Sequence, residues 1–285
     1  MRHEFHLRVG PAAFRVCSDW KAPLEHMRAL YCAYPEPDFT DFTVRLEAVN
    51  ALRRFIRPSV AIGGDYSLPG AAPLPLAQGL LAAEMAMNLQ MALGWRRHLI
   101  VHASAAERGG KALIMTGASG SGKSTLSAML GFGGWRFMGD EFALIDPRTG
   151  DAVPYPRAIS LKNTAIAAMQ KAAPDGNFGP LMRGTPKGDI RHLAPDAGAI
   201  GRMQEPAKAA LVIFPRFGFE PAIRTVGAGE LFMRLTQAST NYVALGEEGF
   251  TALTRFVRET PARAVDYQSG EQAVQLVEQL WSELA

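Results

Sequence analysis

Hydrophobic and polar residues recur along the chain with two periods, which predict a mixture of strands and helices. Alternation of apolar and polar residues, or a short apolar run, predicts strands at 5–16, 42–49, 99–106, 112–115, 135–138, 209–214 and 262–267. Apolar residues at helical spacing predict helices at 76–93, 163–171, 230–238, 247–259 and 271–284. The pattern indicates an α/β fold with a mixed sheet flanked by helices, preceded by a smaller β-containing N-terminal region.

One glycine-rich segment joins a predicted buried strand, 112–115, to a helical pattern. It consists of Gly117, Ala118, Ser119, Gly120, Ser121, Gly122, Lys123 and Ser124, which fit G-x-x-x-x-G-K-[ST] at every fixed position. The glycines let successive backbone N–H groups curl around phosphate oxygens, and the following helix N-terminus adds partial positive charge. The segment therefore predicts a P-loop that binds ATP and Mg²⁺. Lys123 would reach the β- and γ-phosphates, Ser124 would bind Mg²⁺, and Thr125 would lie beside it.

The acid that completes such a site has two candidate positions. Phe142-Ala-Leu-Ile-Asp146 mimics a Walker B strand, but Asp146-Pro147-Arg-Thr-Gly150 has the residue order of a β-turn. Asp140 and Glu141 precede that strand, at its opposite end. Ligands of α/β sheets bind at one end of the strands, where the glycine loop lies, which favours Asp140 and Glu141 over Asp146.

The residues HA…ALIMTGASGSGKSTL…GWRFMGDE…LKN…TPKG resemble the HPr kinase/phosphorylase catalytic domain, and more closely the HPr kinase-related kinase A family. In HPr kinases a histidine precedes the P-loop on the adjoining strand and an acidic pair follows the P-loop lysine, and His102, Lys123, Ser124, Asp140 and Glu141 match these positions. Further similarity to the related branch is found in Leu52-Arg-Arg-Phe-Ile-Arg-Pro58, Pro73-Leu-Pro75, Leu161-Lys162-Asn163, Thr185-Pro-Lys187-Gly188 and Asn241-Tyr242…Leu245-Gly246…Gly249-Phe250.

This resemblance implies a catalytic domain at 96–285 and an N-terminal α+β region of unknown role at 1–95. For the residues that match, we expect Asp140 to accept the proton of an acceptor hydroxyl, His102 to orient or polarise Asp140, and Glu141 to support Mg²⁺. Lys187, in a glycine- and proline-rich loop at 174–188 that is predicted to be mobile, would steady the transferring phosphate. The family also makes a homo-oligomer the expectation.

Two departures from HPr kinases limit the expected substrate. The acidic pair is Asp-Glu rather than Asp-Asp, and the arginine- and glycine-rich signature for HPr binding and dephosphorylation is missing. The expected activity is therefore phosphoryl transfer from ATP to a hydroxyl of a small protein or peptide other than HPr. A kinase of a small-molecule hydroxyl, a nucleotide-dependent switch and a catalytically inactive scaffold stay open as alternatives.

Composition and charge argue against nucleic-acid-binding, membrane-spanning and secreted proteins. The net charge of +3 comes with no dense basic stripe, so we expect no nucleic acid partner, and Arg53, Arg54 and Arg57 are interpreted as a solvated helix face. The long apolar stretch is interrupted by polar residues, and the N-terminal ten residues have no signal-peptide core. Two cysteines without metal-ligand spacing fit a reducing compartment, so we expect a cytoplasmic protein with no membrane span.

Overall fold

The computed structural model describes residues 3–284, which form several mixed sheets with helices packed against them. The strands are β1 His3–Val9, β2 Ala12–Ser18, β3 Phe42–Ala48, β4 Ser59–Gly64, β5 Leu74–Pro75, β6 Leu99–Val101, β7 Ala103–Arg108, β8 Lys111–Thr116, β9 Arg136–Gly139, β10 Ala143–Ile145, β11 Ala152–Val153, β12 Ile159–Lys162, β13 Met182–Thr185, β14 Gly188–Leu193, β15 Lys208–Phe217, β16 Ala222–Val226 and β17 Ala262–Tyr267. The α-helices are α1 Lys21–Leu30, α2 Gly79–Gly94, α3 Lys123–Phe132, α4 Thr164–Ala172, α5 Ala197–Gly201, α6 Ala228–Ala238, α7 Tyr242–Glu259 and α8 Gly270–Ser282. Short 3₁₀ turns lie at Leu52–Arg54 and Leu76–Gln78.

The chain divides into two compact units. The first contains the residues up to 95 together with two later segments, 160–166 and 177–194. The second contains 96–159, 167–176 and 195 onward. The first unit is therefore assembled from three separate stretches of sequence.

The first unit is built on a five-stranded sheet of order β1-β2-β3-β4-β5. The predicted strand 5–16 is in fact the hairpin β1–β2, because Gly10 adopts a φ of 51° and reverses the chain. Strands β2 and β3 are parallel, and α1, which the sequence pattern did not predict, connects them. The Gln78 side chain donates to the carbonyl oxygen of Arg183 at 3.2 Å, which joins a late segment to the first stretch.

The same unit contains the hairpin β13–β14, which falls partly in the segment predicted to be a mobile loop. That prediction is wrong for 182–185, which pair with β14. The turn at Lys187 is closed by the Thr185 hydroxyl, which donates to the Gly188 carbonyl at 2.6 Å and accepts from the Lys187 N–H at 3.2 Å. Gly188 has a φ of 86°, and a Cβ there would lie 2.2 Å from Asn163 Oδ1. Only glycine fits this turn.

The second unit is built on a six-stranded sheet of order β16-β17-β15-β8-β7-β9. Strands β8, β15 and β17 are mutually parallel, and β7 is antiparallel to both of its neighbours, β8 and β9. Along β8 the apolar side chains alternate between two cores, with Ile114 in one and Leu113 and Met115 in the other. Because both faces of the sheet are covered, residues 112–115 of β8 form an uninterrupted apolar run in the sequence.

The predicted strand 99–106 is two strands in two different sheets. Strand β6 pairs with β10 in a three-stranded sheet, whereas β7 pairs with β8. The break falls at His102, whose N–H donates to the Ala238 carbonyl at 2.8 Å. No helix in the described part of the chain is both long enough and apolar enough to cross a bilayer.

Candidate functional site

The glycine-rich segment forms a tight loop between β8 and α3. Its backbone turns at Gly117, Gly120 and Gly122, which all have positive φ values. At Gly122 a Cβ would lie 2.2 Å from Tyr267 Oη, well inside van der Waals contact. Glycine is thus required at this position both by the backbone conformation and by the side chain that packs on it.

Tyr267, the last residue of β17, holds this loop from the neighbouring part of the sheet. Its phenol donates to the Ser121 carbonyl oxygen at 2.9 Å. Burial raises the pKa of Tyr267 to about 12, so the phenol stays protonated, and able to donate, at any physiological pH. A contact from within the chain therefore helps to set the loop conformation.

Lys123 is the first residue of α3 and is only 7% exposed. Its ammonium group donates to the carbonyl oxygens of Gly117 and Ala118, at 2.8 and 2.9 Å, and so points back into the loop. The first N–H groups of a helix have no intrahelical acceptor, and they carry the positive end of the helix dipole. Together they concentrate positive charge where the loop curls.

The loop also contains a polar atom that suits a ligand. The Ser121 hydroxyl is buried and has no hydrogen-bond partner within residues 3–284. Ser124 and Thr125, the next helix residues, are partly exposed. This donor set fits a phosphate chain, with hydroxyls at Ser121, Ser124 and Thr125 beside the lysine.

Asp140 follows β9 and lies at the same sheet edge as the loop. Strand β7 lies between β8 and β9 and is antiparallel to both. The carboxyl ends of β8 and β9 therefore lie on either side of the first residue of β7, two strand spacings or about 10 Å from each other. Asp140 is 4% exposed, and the fully buried Ser104 hydroxyl lies 3.0 Å from its Oδ1 and 2.9 Å from its carbonyl oxygen. Ser104 thus fixes this carboxylate from the middle strand.

His102 and Glu141 meet at the same edge. His102 Nδ1 lies 3.6 Å from Glu141 Oε2, and both side chains are partly exposed. The His102 carbonyl accepts from the Thr116 hydroxyl at 2.9 Å, which ties the residue before β7 to the residue before the loop. The structure therefore brings His102 next to Glu141, while the hydroxyl of Ser104 donates to Asp140.

The other acid considered from the sequence lies elsewhere. Asp146 Oδ1 accepts from the N–H groups of Arg148 and Thr149, at 2.7 and 3.2 Å, in the turn that joins β10 to β11. Strand β10 is antiparallel to β6, so its first residue is near His102 and its last is far from it. Asp146 is a turn residue at the opposite end of the strand.

Lys187 belongs to the first unit, in the β13–β14 turn, and is exposed. The phosphate-loop candidates and the acidic pair belong to the second. Within residues 3–284 no three His, Cys, Asp or Glu side chains are grouped so as to hold a metal ion. Any Mg²⁺ at this edge would need oxygens from Ser124, Glu141 and a nucleotide, which suits an ion that keeps few protein ligands.

Ser104 and Tyr267 are site residues that sequence reasoning missed. Ser104 lies two residues after His102 within an apolar strand, and a polar side chain at such a position is a signal that could have been used. Tyr267 gives no comparable signal, because its partner Ser121 is 146 positions away and only the pairing of β17 with β15 brings the two together.

Comparison with known proteins adds little to this geometry. No family model matches the chain, and no curated protein matches it. Solved structures with similarity to the chain include the Hpr(Ser) kinase/phosphatase from Coxiella burnetii, which is 13% identical, with 65% of this chain and 94% of that chain covered and a TM-score of 0.28. A similarity at that TM-score carries no argument about function.

Proposed function

We propose that this chain is a kinase that transfers the γ-phosphoryl group of ATP, with Mg²⁺, to a serine or threonine hydroxyl of a small protein or peptide. One observation carries the proposal. A buried carboxylate, Asp140, is held at the same sheet edge as a glycine loop into which a buried lysine, Lys123, points. Phosphoryl transfer needs charge neutralisation and alignment of the two oxygens more than covalent chemistry, and these residues are suited to provide both.

The loop residues would hold the triphosphate. On binding, the Lys123 ammonium would exchange the Gly117 and Ala118 carbonyls for phosphate oxygens, which are stronger acceptors because they are charged. The Ser121 hydroxyl would gain the partner that it lacks in the described chain. Mg²⁺, held by Ser124 and Glu141, would neutralise charge on the phosphates.

Asp140 would act as the base. The acceptor hydroxyl oxygen forms a bond to the γ-phosphorus, the bond from that phosphorus to the β–γ bridging oxygen breaks, and the hydroxyl proton passes to the Asp140 carboxylate. Ser104 would keep the carboxylate in one orientation through its hydrogen bond to Oδ1. His102 would steady Glu141 by their 3.6 Å contact, a role in addition to the effect on Asp140 that we expected from the sequence.

The test combines binding with label transfer. ATP binding is measured by calorimetry, and transfer from γ-labelled ATP is measured on an array of serine- and threonine-containing peptides. We expect Lys123→Met to lose ATP binding. Asp140→Asn should keep ATP binding and lose transfer by roughly 10² to 10⁴-fold, the usual contribution of a general base. Asp146→Asn is the matched control, because this acid lies in a turn at the opposite end of β10, and it should retain transfer.

Three results would overturn the proposal. The first is a wild-type chain that does not bind ATP. The second is ATP hydrolysis with no labelled hydroxyl on any peptide, which would favour a nucleotide-dependent switch. The third is equal transfer by Asp140→Asn and Asp146→Asn, which would remove Asp140 from the chemistry.

A further inference from the structure

Residues 49–58 of the first unit form an exposed segment of unusual composition. Its three bulkiest aliphatic and aromatic side chains, Leu52, Phe55 and Ile56, are 62%, 79% and 58% exposed, and no residue of its 3₁₀ turn is buried. Large apolar side chains that are exposed together mark interaction surfaces more often than isolated ones do. The solvated helix face predicted from the sequence accounts for the arginines but not for this apolar group.

The segment is held in one conformation although none of its residues is fully buried. The Trp20 indole donates to the Arg54 carbonyl at 2.9 Å, and Asn50 Oδ1 accepts from the Arg53 N–H at 2.9 Å. The Ile56 N–H donates to the Leu52 carbonyl at 2.9 Å. A surface that is ordered in advance loses less entropy when a partner binds.

The three arginines of residues 49–58 have positive charges that are available to a binding partner. In the part of the chain that the structure describes, none of Arg53, Arg54 and Arg57 forms an ion pair with a carboxylate. Arg53 donates to the Arg57 carbonyl at 3.4 Å, and Arg54 donates to the Asp19 carbonyl at 3.3 Å while lying over the Phe55 ring. Arg57 has a φ of 46°, a conformation that residues other than glycine rarely adopt and that tends to persist at functional positions.

We propose that residues 49–58 are a docking surface for an acidic polypeptide segment that carries apolar side chains. Arginine and aromatic residues dominate the binding energy of protein interfaces, and guanidinium groups bind carboxylates in a bidentate manner. Three arginines lie here among three exposed apolar side chains, in the sequence Leu-Arg-Arg-Phe-Ile-Arg at 52–57. The complementary partner therefore carries both carboxylates and leucine- or phenylalanine-like groups. This inference does not depend on the proposed kinase activity.

Two carboxylates beside the segment favour a peptide over an anionic membrane. Asp19 Oδ2 accepts from the Ala48 N–H at 2.9 Å, and Glu47 lies in the adjoining β3 strand and is partly exposed. A flat anionic bilayer would have to approach these acids together with the arginines. A narrow extended peptide can follow the arginines alone.

The experiment uses the full chain and a random 12-residue peptide library displayed on phage. We expect the enriched peptides to be acidic and to contain leucine, isoleucine or phenylalanine. Synthetic copies should bind the wild type and lose roughly tenfold or more in affinity with Arg53→Glu/Arg57→Glu and with Phe55→Ser. The matched controls are Arg258→Glu and Val243→Ser, exposed residues of α7 in the second unit, which should bind as the wild type does.

Circular dichroism and thermal unfolding first establish that each variant is folded. No enrichment, enrichment of peptides without acidic residues, or equal binding by wild type and the two segment variants would overturn the proposal. Binding to vesicles of phosphatidylglycerol or to a single-stranded oligonucleotide that the segment variants lose, with no loss of peptide binding, would overturn it as well. That result would assign the segment to a lipid or nucleic acid partner instead.

Discussion

Tyr267 holds the loop that carries Lys123 through a 2.9 Å hydrogen bond from its phenol to the Ser121 carbonyl oxygen. The two residues come from β17 and from the loop after β8, and the only strand between β17 and β8 is β15. The loop is thus fixed at two points, by its own strand and by a strand two positions away. Both strands therefore contribute to the shape of the loop.

Replacing Gly122 tests how closely Tyr267 packs on the loop. We expect Gly122→Ala to abolish ATP binding, because the new Cβ would lie 2.2 Å from Tyr267 Oη. Gly134→Ala is the matched control, since Gly134 has a similar φ of 97° but a Cβ at this position would meet no atom within 4 Å. It should cost about 1 kcal/mol in unfolding free energy and leave ATP binding intact. Calorimetry and thermal unfolding give the two quantities.

The double variant Gly122→Ala/Tyr267→Phe separates the clash from the backbone effect. Removing the hydroxyl leaves Cζ as the nearest ring atom, at 3.3 Å from the new Cβ. We expect the double variant to recover part of the ATP affinity that Gly122→Ala loses. If it binds no better than Gly122→Ala, the contact with the phenol is not the cause of the loss.

Removing the Tyr267 hydroxyl alone should weaken ATP binding without unfolding the protein. A hydrogen bond of this kind contributes about 0.5–1.5 kcal/mol, so Tyr267→Phe should raise the dissociation constant for ATP roughly two- to tenfold. Tyr66→Phe, on an exposed residue of the first unit, makes the same chemical change away from the loop and should leave the dissociation constant unchanged. Equal constants for wild type and Tyr267→Phe would mean that the loop does not need this bond.

Ser104 is expected to affect turnover rather than binding. Without its hydroxyl the Asp140 carboxylate loses the donor at 3.0 Å that orients it, so Ser104→Ala should lower kcat at least several-fold while the ATP dissociation constant stays the same. Ser18→Ala removes another buried serine hydroxyl, one that accepts from the Trp20 N–H, and serves as the control. If the role of Ser104 were purely structural, Ser104→Ala would behave as Ser18→Ala does: the melting temperature would fall and kcat would stay unaltered.

The buried pair of Glu107 and Arg136 should govern acid stability. Burial acts to raise the pKa of Glu107, but hydrogen bonds from the Gly110 N–H and from Arg136, at 2.6 Å, outweigh it and hold the pKa below its usual value. A carboxyl whose pKa is lowered by folding stabilises the protein above its unfolded pKa, and this stabilisation is lost as the pH falls through the folded value. We expect unfolding free energy to decline on acidification below about pH 4.5.

Glu107→Gln should remove the part of the fall in unfolding free energy on acidification that Glu107 causes. It should also destabilise the protein at neutral pH by on the order of 3 kcal/mol, because Arg136 would remain buried without its carboxylate. Glu259→Gln, on an exposed residue at the end of α7, should change neither quantity. Urea unfolding between pH 3 and 7 measures both, and an unchanged acid profile in Glu107→Gln would contradict the assignment.

The sequence predicted the local parts of the site and not the distant contacts. The unit β8–loop–α3 was predictable because a strand buried on both faces, a glycine motif and a helical pattern follow one another within 22 residues. The position of Asp140 at the same edge followed from the rule that parallel strands share their carboxyl ends. The contact of Ser104 with Asp140 depends on the register of β7 against β9, which no local pattern encodes.

The sequence also did not predict where contacts with distant residues interrupt or form strands. The break at His102 follows from a bond to Ala238, 136 positions away, so the apolar pattern runs through it unchanged. The hairpin around Lys187 was missed because β13 is short and contains Gly184, which suits a loop as well as a strand edge. In both cases pairing with other parts of the chain determined the secondary structure, because the local sequence preference was compatible with more than one conformation.

The assembly of the first unit from three stretches has a consequence for synthesis on the ribosome. Residues up to 95 leave the tunnel first. Arg183, the partner of Gln78, is translated 105 residues after it, and Asn177, the partner of the Ala29 carbonyl, 148 residues after it. Part of the surface of the nascent N-terminal sheet therefore stays uncovered until the later segments of the first unit have been synthesised. A gene fragment ending near codon 95 should yield an aggregation-prone product, whereas one that includes codon 194 supplies every strand of that unit.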